Sequence, residues 1–278
     1  MRDAFIESLT DIATQDKDIF LITGDLGFGV LDDFARKFPN QFLNVGVAEQ
    51  NMTGVATGLA LNGYKVFTYS IANFTTLRCL EQIRNDACYH DANVNVVSIG
   101  GGFSYGALGM SHHATEDLSI MRALPNLKII VPGDDYETHE ATKYLCNTPG
   151  PSYLRLERGS VTIETDQDEV FAYGKYRKIS SGKDIAVFCS GGMTQVATNT
   201  IESLKSLNIS LSIYSVHSLK SIDGETLNNA VNKHKGIITL EENNLLGGMG
   251  SSICEYCMDN NIQIKKFKRM GLEDIYSS

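Results

Sequence analysis

The sequence predicts an α/β protein of two domains, each a mostly parallel β-sheet flanked by helices. Three observations lead there. Short β-branched apolar runs alternate with helical patterns, as in βα units around a parallel sheet. The alternation lapses into a polar, acidic stretch between about Gly159 and Lys183 and then restarts. A chain of 278 residues has room for two domains of ordinary size.

In chain order, strands are expected at Ile19–Ile22, Val66–Tyr69, Val94–Ile99 and Ile129–Val131. Helices are expected near 2–14, 49–62, 75–89, 116–123 and 135–146. Pro132-Gly133-Asp134 is a turn leading from the last of these strands into a helix. The second half repeats the pattern: strand Ile185–Phe188, helix 193–207, strand Leu211–Tyr214, helix 223–233, strand Gly236–Leu240 and helix 248–259. The expected organisation is a first domain over 1–160, a linker over 161–182 and a second domain over 183–278.

Hydrophobic residues at 42% and charged residues at 21% fit a folded globular chain. A net charge of −9 excludes a general nucleic-acid-binding role, because no basic patch offsets phosphate repulsion. The basic run Lys265–Arg269 reads as a solvated strand edge. No stretch is apolar enough to span a bilayer, and the acid-bearing start Met1–Glu7 is not a signal peptide. Six scattered cysteines suit reduced thiols, so a cytoplasmic protein is expected. Cys254 and Cys257 form a Cys-x-x-Cys pair, but no second ligand pair is spaced for zinc, and ordinary helix cysteines are expected.

The most informative segment is Asn44–Met52, "NVGVAEQNM", a strand end running into a helix. Ligands of open α/β sheets gather at such junctions. Taken alone, Glu49 is an acid in a first helical turn, complementing the helix dipole. In context the string resembles the transketolase family, in which this glutamate contacts the aminopyrimidine of thiamine diphosphate. The resemblance implies that Glu49 bonds a ring nitrogen and favours the imino tautomer, which takes the thiazolium proton.

Further segments resemble the same family in the same order. "LITGDLGFG" (Leu21–Gly29) is similar to its loop after the first strand, which places Asp25 at the cofactor. "NFTTLRCLEQIRNDA" (Asn73–Ala87) resembles a helix that implies Phe74 stacking on the pyrimidine and Arg78 near it. "GALGMSHHATEDLSIMRALPNLKIIVPGD" (Gly106–Asp134) aligns His112 with the histidine that faces the substrate beside the thiazolium. A group titrating near neutral pH suits that task. "GPSYLRLERG" (Gly150–Gly159) aligns Arg158 with an arginine that binds substrate phosphate. "YSVHSLKSID" (Tyr214–Asp223) and "ITLEENNLLGGMGSSICE" (Ile238–Glu255) resemble the family's C-terminal domain, which implies structural roles for His217, Glu241 and Glu242. The two domains are thus expected to be a pyrimidine-binding domain and a transketolase C-terminal domain.

Two departures matter. The family's diphosphate-binding domain carries Gly-Asp-Gly and, further on, Asn-Asn, which hold magnesium and diphosphate. This chain has no good copy, so a separate subunit is expected to hold most of the Mg2+ and to complete a heterotetramer. Second, the family's acidic sugar reader is replaced by Ala107 and Leu108, and its upstream phosphate-binding histidine by Gly100-Gly101-Gly102. His113 replaces the usual glutamine, and Tyr105 and His113 are the candidates to compensate for the lost donors. The substrate is therefore expected to be a sugar or 2-oxoacid other than the usual ketose phosphates. The competing readings are the β subunit of a 2-oxoacid dehydrogenase decarboxylase component, a 1-deoxyxylulose-phosphate-synthase-like role and a non-catalytic scaffold paralogue.

Overall fold

The computed structural model describes residues 1–164 and 170–276. The first sheet has six strands: β1 (Ile19–Thr23), β2 (Phe42–Asn44), β3 (Lys65–Ile71), β4 (Val94–Ile99), β5 (Lys128–Ile130) and β6 (Ser152–Leu156). Their order is β2-β1-β3-β4-β6-β5, and every pairing is parallel. Buried parallel strands read as continuous apolar runs, and β4 is buried at all six positions. The second sheet contains β7 (Arg177–Ser180), β8 (Ile185–Cys189), β9 (Leu211–Ser215), β10 (Gly236–Asn244) and β11 (Phe267–Leu272), in the order β11-β10-β8-β9-β7. Among the described strands of this sheet only β7 runs antiparallel. Two mostly parallel sheets flanked by helices are therefore present, as the βα alternation predicts.

Two expected helices differ from their patterns for local reasons. In place of the helix expected near 75–89, residues 72–88 form a short α-turn Ala72–Thr75, a 3-10 turn Leu77–Cys79, a further turn Leu80–Gln82 and a π-helical segment Ile83–Cys88. Thr76 is the break: its hydroxyl donates to the Ala72 carbonyl at 2.6 Å, and its backbone leaves the helical region at φ −110°, ψ −81°. The 193–207 pattern divides at Thr200 into Met193–Asn199 and Ile201–Lys205, and the Thr200 hydroxyl donates to the Ala197 carbonyl. The basic run Lys265–Arg269 enters β11, an edge strand paired only with β10. β7 falls within the 161–182 segment, and the buried Arg177 at its start pairs with Asp134 (2.7 Å) and Glu137 (3.2 Å) of the first domain.

The two domains share one apolar core, which runs from Ile22 and Met52 through Tyr153 to Phe188 and Ile253. Main-chain bonds also cross between them. Val131 N–H donates to the His217 carbonyl at 2.8 Å and Leu219 N–H to that of Ile129 at 3.0 Å. Glu241 is buried in the second domain and accepts from the N–H groups of Met249 (2.6 Å) and Gly250 (2.8 Å), capping the helix Met249–Asp259. Cys254 and Cys257 lie on that helix as free thiols. No helix among the described residues is long and apolar enough to cross a membrane.

Candidate active site

The site lies at the C-terminal ends of β1, β3 and β4, where an open parallel sheet leaves a crevice for ligand. β2 ends at Asn44, whose side-chain carbonyl accepts from the N–H groups of Asp25 and Gly46, both at 3.0 Å. Asn44 Nδ2 returns a bond to the Asp25 carboxylate at 3.3 Å. This brace holds the loops after β1 and β2 together and fixes where the helix Glu49–Leu61 begins. Asp25 itself is solvent-exposed, with a left-handed backbone at φ +59°.

Glu49 is the first residue of that helix and is only 3% exposed. Its Oε2 accepts from Arg78 Nη1 at 2.9 Å. Its Oε1 accepts no hydrogen bond among the described residues. The Arg78 guanidinium lies 4.4 Å from the Phe74 ring centroid. Phe74 in turn meets the His112 ring edge to face at 5.0 Å. Phe74 and Arg78 stand on either side of the break at Thr76, and both reach the site, Arg78 at Glu49 and Phe74 at His112. Cys79 sits behind them, where burial raises its thiol to about 11, and it donates to the Phe74 carbonyl.

His112 is half-buried on a loop of two 3-10 turns. Its Nδ1 is bonded to the Ser111 hydroxyl at 2.9 Å, which leaves Nε2 for the crevice. Asn73 fixes the same turn by donating to the Ser111 carbonyl at 2.6 Å. His113 points the other way. It is buried, packs against Phe103 at 4.9 Å, and its Nε2 donates to the Gly106 carbonyl at 3.2 Å. Arg158 is exposed at the end of β6 and stacks on the Tyr105 ring at 4.6 Å. The structure therefore gathers Glu49, Phe74, Arg78 and His112 in direct contact. Asp25 and Arg158 lie on the surrounding loops, and His113 is turned into the protein.

Sequence reasoning missed the group beneath this loop. Arg155, 2% exposed, donates to the carbonyls of Ala114 (3.3 Å) and Glu242 (2.9 Å), and pairs with Asp117 at 3.1 Å. The Tyr153 hydroxyl donates to Asp117 at 2.5 Å and accepts from the Ser98 hydroxyl at 2.9 Å. Burial disfavours the Arg155 charge, but Asp117, Glu157 and Glu242 outweigh it and hold its pKa above the ordinary value. Burial also pushes the Asp117 carboxyl up, against the pull of Arg155. Gly101 must lack a side chain here, since a Cβ would lie 1.8 Å from Arg155 Nε. Ser104 donates to Glu157 at 2.5 Å on the same side of the loop. From the second domain, the Glu242 carboxylate packs on Gly102, where a Cβ would lie 2.1 Å from its Oε2. Asn244 N–H donates to the Thr115 carbonyl at 2.6 Å. The second domain thus grips both ends of the His112 loop. The one signal in the sequence is an arginine inside an otherwise apolar strand, "SYLRL".

Residues 1–163 match the transketolase pyrimidine-binding domain, and residues 174–278 match the transketolase C-terminal domain. The chain belongs to the transketolase family. An apulose-4-phosphate transketolase subunit from Phocaeicola vulgatus is 34% identical, with 95% of this chain and 85% of that one aligned. A putative transketolase C-terminal section from Methanocaldococcus jannaschii is also 34% identical, over 99% and 87% of the two chains. A 6-deoxy-6-sulfo-D-fructose transketolase subunit from a Clostridium species is 31% identical, over 99% and 85%. Among solved structures, a split-gene transketolase in the form of an inactive beta4 tetramer superposes with a TM-score of 0.90. It is 32% identical, and the match covers 100% of this chain and 90% of that one.

Proposed function

We propose that this chain is one subunit of a split, thiamine-diphosphate-dependent transketolase-type enzyme. It transfers a two-carbon ketol or acyl unit between carbonyl substrates. The observation that carries the reading is Glu49, a carboxylate 3% exposed at a helix start, with one oxygen held by Arg78 and the other without a partner among the described residues. A carboxylate oxygen free of protein partners is able to bond a ligand, and an aminopyrimidine ring nitrogen suits that place. The cofactor, when bound, supplies a thiazolium carbon able to add to a carbonyl and to accept the charge left by carbon–carbon cleavage.

The residues of this chain orient and move protons around it. Glu49 holds the proton at the pyrimidine ring nitrogen and sets the tautomer. Phe74 presents an aromatic face beside it, and Arg78 keeps the Glu49 carboxylate fixed. His112 Nε2 bonds the substrate carbonyl oxygen or exchanges a proton with it. Arg158 receives an anionic end of the substrate, and Asp25 supports the cofactor edge of the crevice. We assign His113 to holding the substrate loop, through Gly106. The diphosphate and Mg2+ fall to a partner subunit, because this chain carries no Gly-Asp-Gly…Asn-Asn pair. The relatives named as subunits of transketolases support the same division, and the sugars in their names support a sugar over a 2-oxoacid; we assign the chain to a cytoplasmic hetero-oligomer.

Thiamine-diphosphate titration with Mg2+ tests the split: the chain alone binds weakly, and the two-subunit complex binds tightly. Tight Mg2+-dependent binding by the chain alone would sink it. In the complex, Glu49→Ala is expected to lower kcat by about a hundredfold or more, and unchanged turnover would favour a scaffold role.

A further inference from the structure

Tyr105 stands at the mouth of the site with contacts on three sides. Its ring lies 4.6 Å from the Arg158 guanidinium carbon and 6.2 Å, centroid to centroid, from the His112 ring. The Cδ2–Cε2 edge of the ring covers Gly100, where a Cβ would lie 2.3 Å from Tyr105 Cε2, so position 100 has room for no side chain at all. The space a side chain at 100 would fill is thus taken by the Tyr105 ring.

Two polar groups at this spot are uncommitted. Among the described residues Arg158 makes no ion pair or hydrogen bond, and its guanidinium rests on the Tyr105 ring alone. The Tyr105 hydroxyl, half-buried, also has no hydrogen-bond partner among them. Burial raises the pKa of that hydroxyl, so it remains a donor at neutral pH. The nearest acid in sequence, Glu157, has its Oε2 engaged by Ser104 and does not neutralise Arg158 directly. The adjoining rim is apolar, with Leu108 56% and Met110 55% exposed.

We propose that Tyr105 is the specificity-determining residue of this site. Its ring is the platform that aims the Arg158 guanidinium, and its hydroxyl donates to the charged end of the acceptor. The inference rests on the transketolase-type reading above, in which Arg158 receives an anionic end of the substrate, and what it adds is the part played by Tyr105. An exposed arginine loses rotamer freedom on binding, and stacking on a fixed ring removes much of that cost beforehand. Selection then falls on the anionic end, because Leu108 and Met110 offer no polar group to read an internal hydroxyl.

Two variants separate ring from hydroxyl. Tyr105→Leu keeps bulk over Gly100 but removes both the π-face and the hydroxyl, whereas Tyr105→Phe removes the hydroxyl alone. In the two-subunit enzyme, Tyr105→Leu is expected to raise KM for a phosphorylated three-carbon aldehyde about tenfold. KM for uncharged glycolaldehyde and kcat should stay unchanged, and Tyr105→Phe should fall between. A sulfonated three-carbon aldehyde in parallel shows which oxyanion is preferred. Equal KM changes for charged and uncharged aldehydes, or none for either, would overturn the proposal. A second readout needs no turnover: phenylglyoxal modification of Arg158 in the full chain, followed by mass spectrometry. Inorganic phosphate is expected to slow it in wild type and not in Tyr105→Leu, and equal protection in both would also overturn it. If the labelling depends on Tyr105 while the assembled enzyme turns over no aldehyde, the transketolase-type reading fails and the Tyr105–Arg158 subsite stands.

Discussion

Arg78 Nη1 donates to Glu49 Oε2 at 2.9 Å, a pair in which the carboxylate is 3% exposed and the guanidinium 45%. The acid is buried while its counter-charge reaches solvent, so the pair is asymmetric. Water stabilises Arg78 without help, but Glu49 depends on Arg78.

Removing Arg78 should therefore cost stability mainly through Glu49. For Arg78→Met we expect a loss of about 1–2 kcal/mol in urea unfolding, below the range for fully buried pairs because Arg78 is screened. Adding Glu49→Gln should recover most of it. Equal losses in the single and double variants would show that the pair is not coupled.

Arg155 and Asp117 are both buried, and breaking their pair leaves a charge with no solvent. Arg155→Met is expected to cost about 3–5 kcal/mol. The double variant with Asp117→Asn should cost less than the sum of the singles. Because Arg155 also holds the Ala114 and Glu242 carbonyls, hydrogen exchange should rise across residues 101–115 in Arg155→Met. Unchanged exchange there would refute the grip on the His112 loop.

Burial, and next the charge of Glu157, push the Glu242 carboxyl above its ordinary pKa. The folded chain therefore holds this proton more tightly than the unfolded chain. The associated stability is present below the unfolded pKa, about 4.3, and is lost as pH rises through the folded value. Relative to Glu242→Gln, the wild-type unfolding free energy should fall across that window. Parallel pH profiles would rule this out.

Thiol labelling should follow burial. The Cys79, Cys88 and Cys257 thiols are raised to about 11 and Cys146 to about 12, each chiefly by burial. Cys254 is partly exposed, and its pKa is raised too, though less strongly. Under native conditions an alkylating reagent should reach Cys254 first, with the other five released only on unfolding. Early labelling of Cys79 would mean that the packing behind Phe74 opens.

Local pattern alone determined both α/β domains, because alternating helical and β-branched runs need only neighbours in sequence to be read. It also determined the candidate residues, since Glu49, Phe74, Arg78, His112 and Arg158 stand in ordered motifs whose resemblance named them. Only the tertiary structure decided how they meet. Thr76 breaks a helix whose periodicity looked unbroken, through a hydroxyl–carbonyl bond within one turn. His113 and His112 are adjacent yet face opposite ways, which backbone turns rather than residue types determine. The contacts from Tyr105 to Arg158 and from Arg155 to Glu242 join segments 53 and 87 residues apart. No periodicity spans such distances, because they are set by packing two sheets around one core.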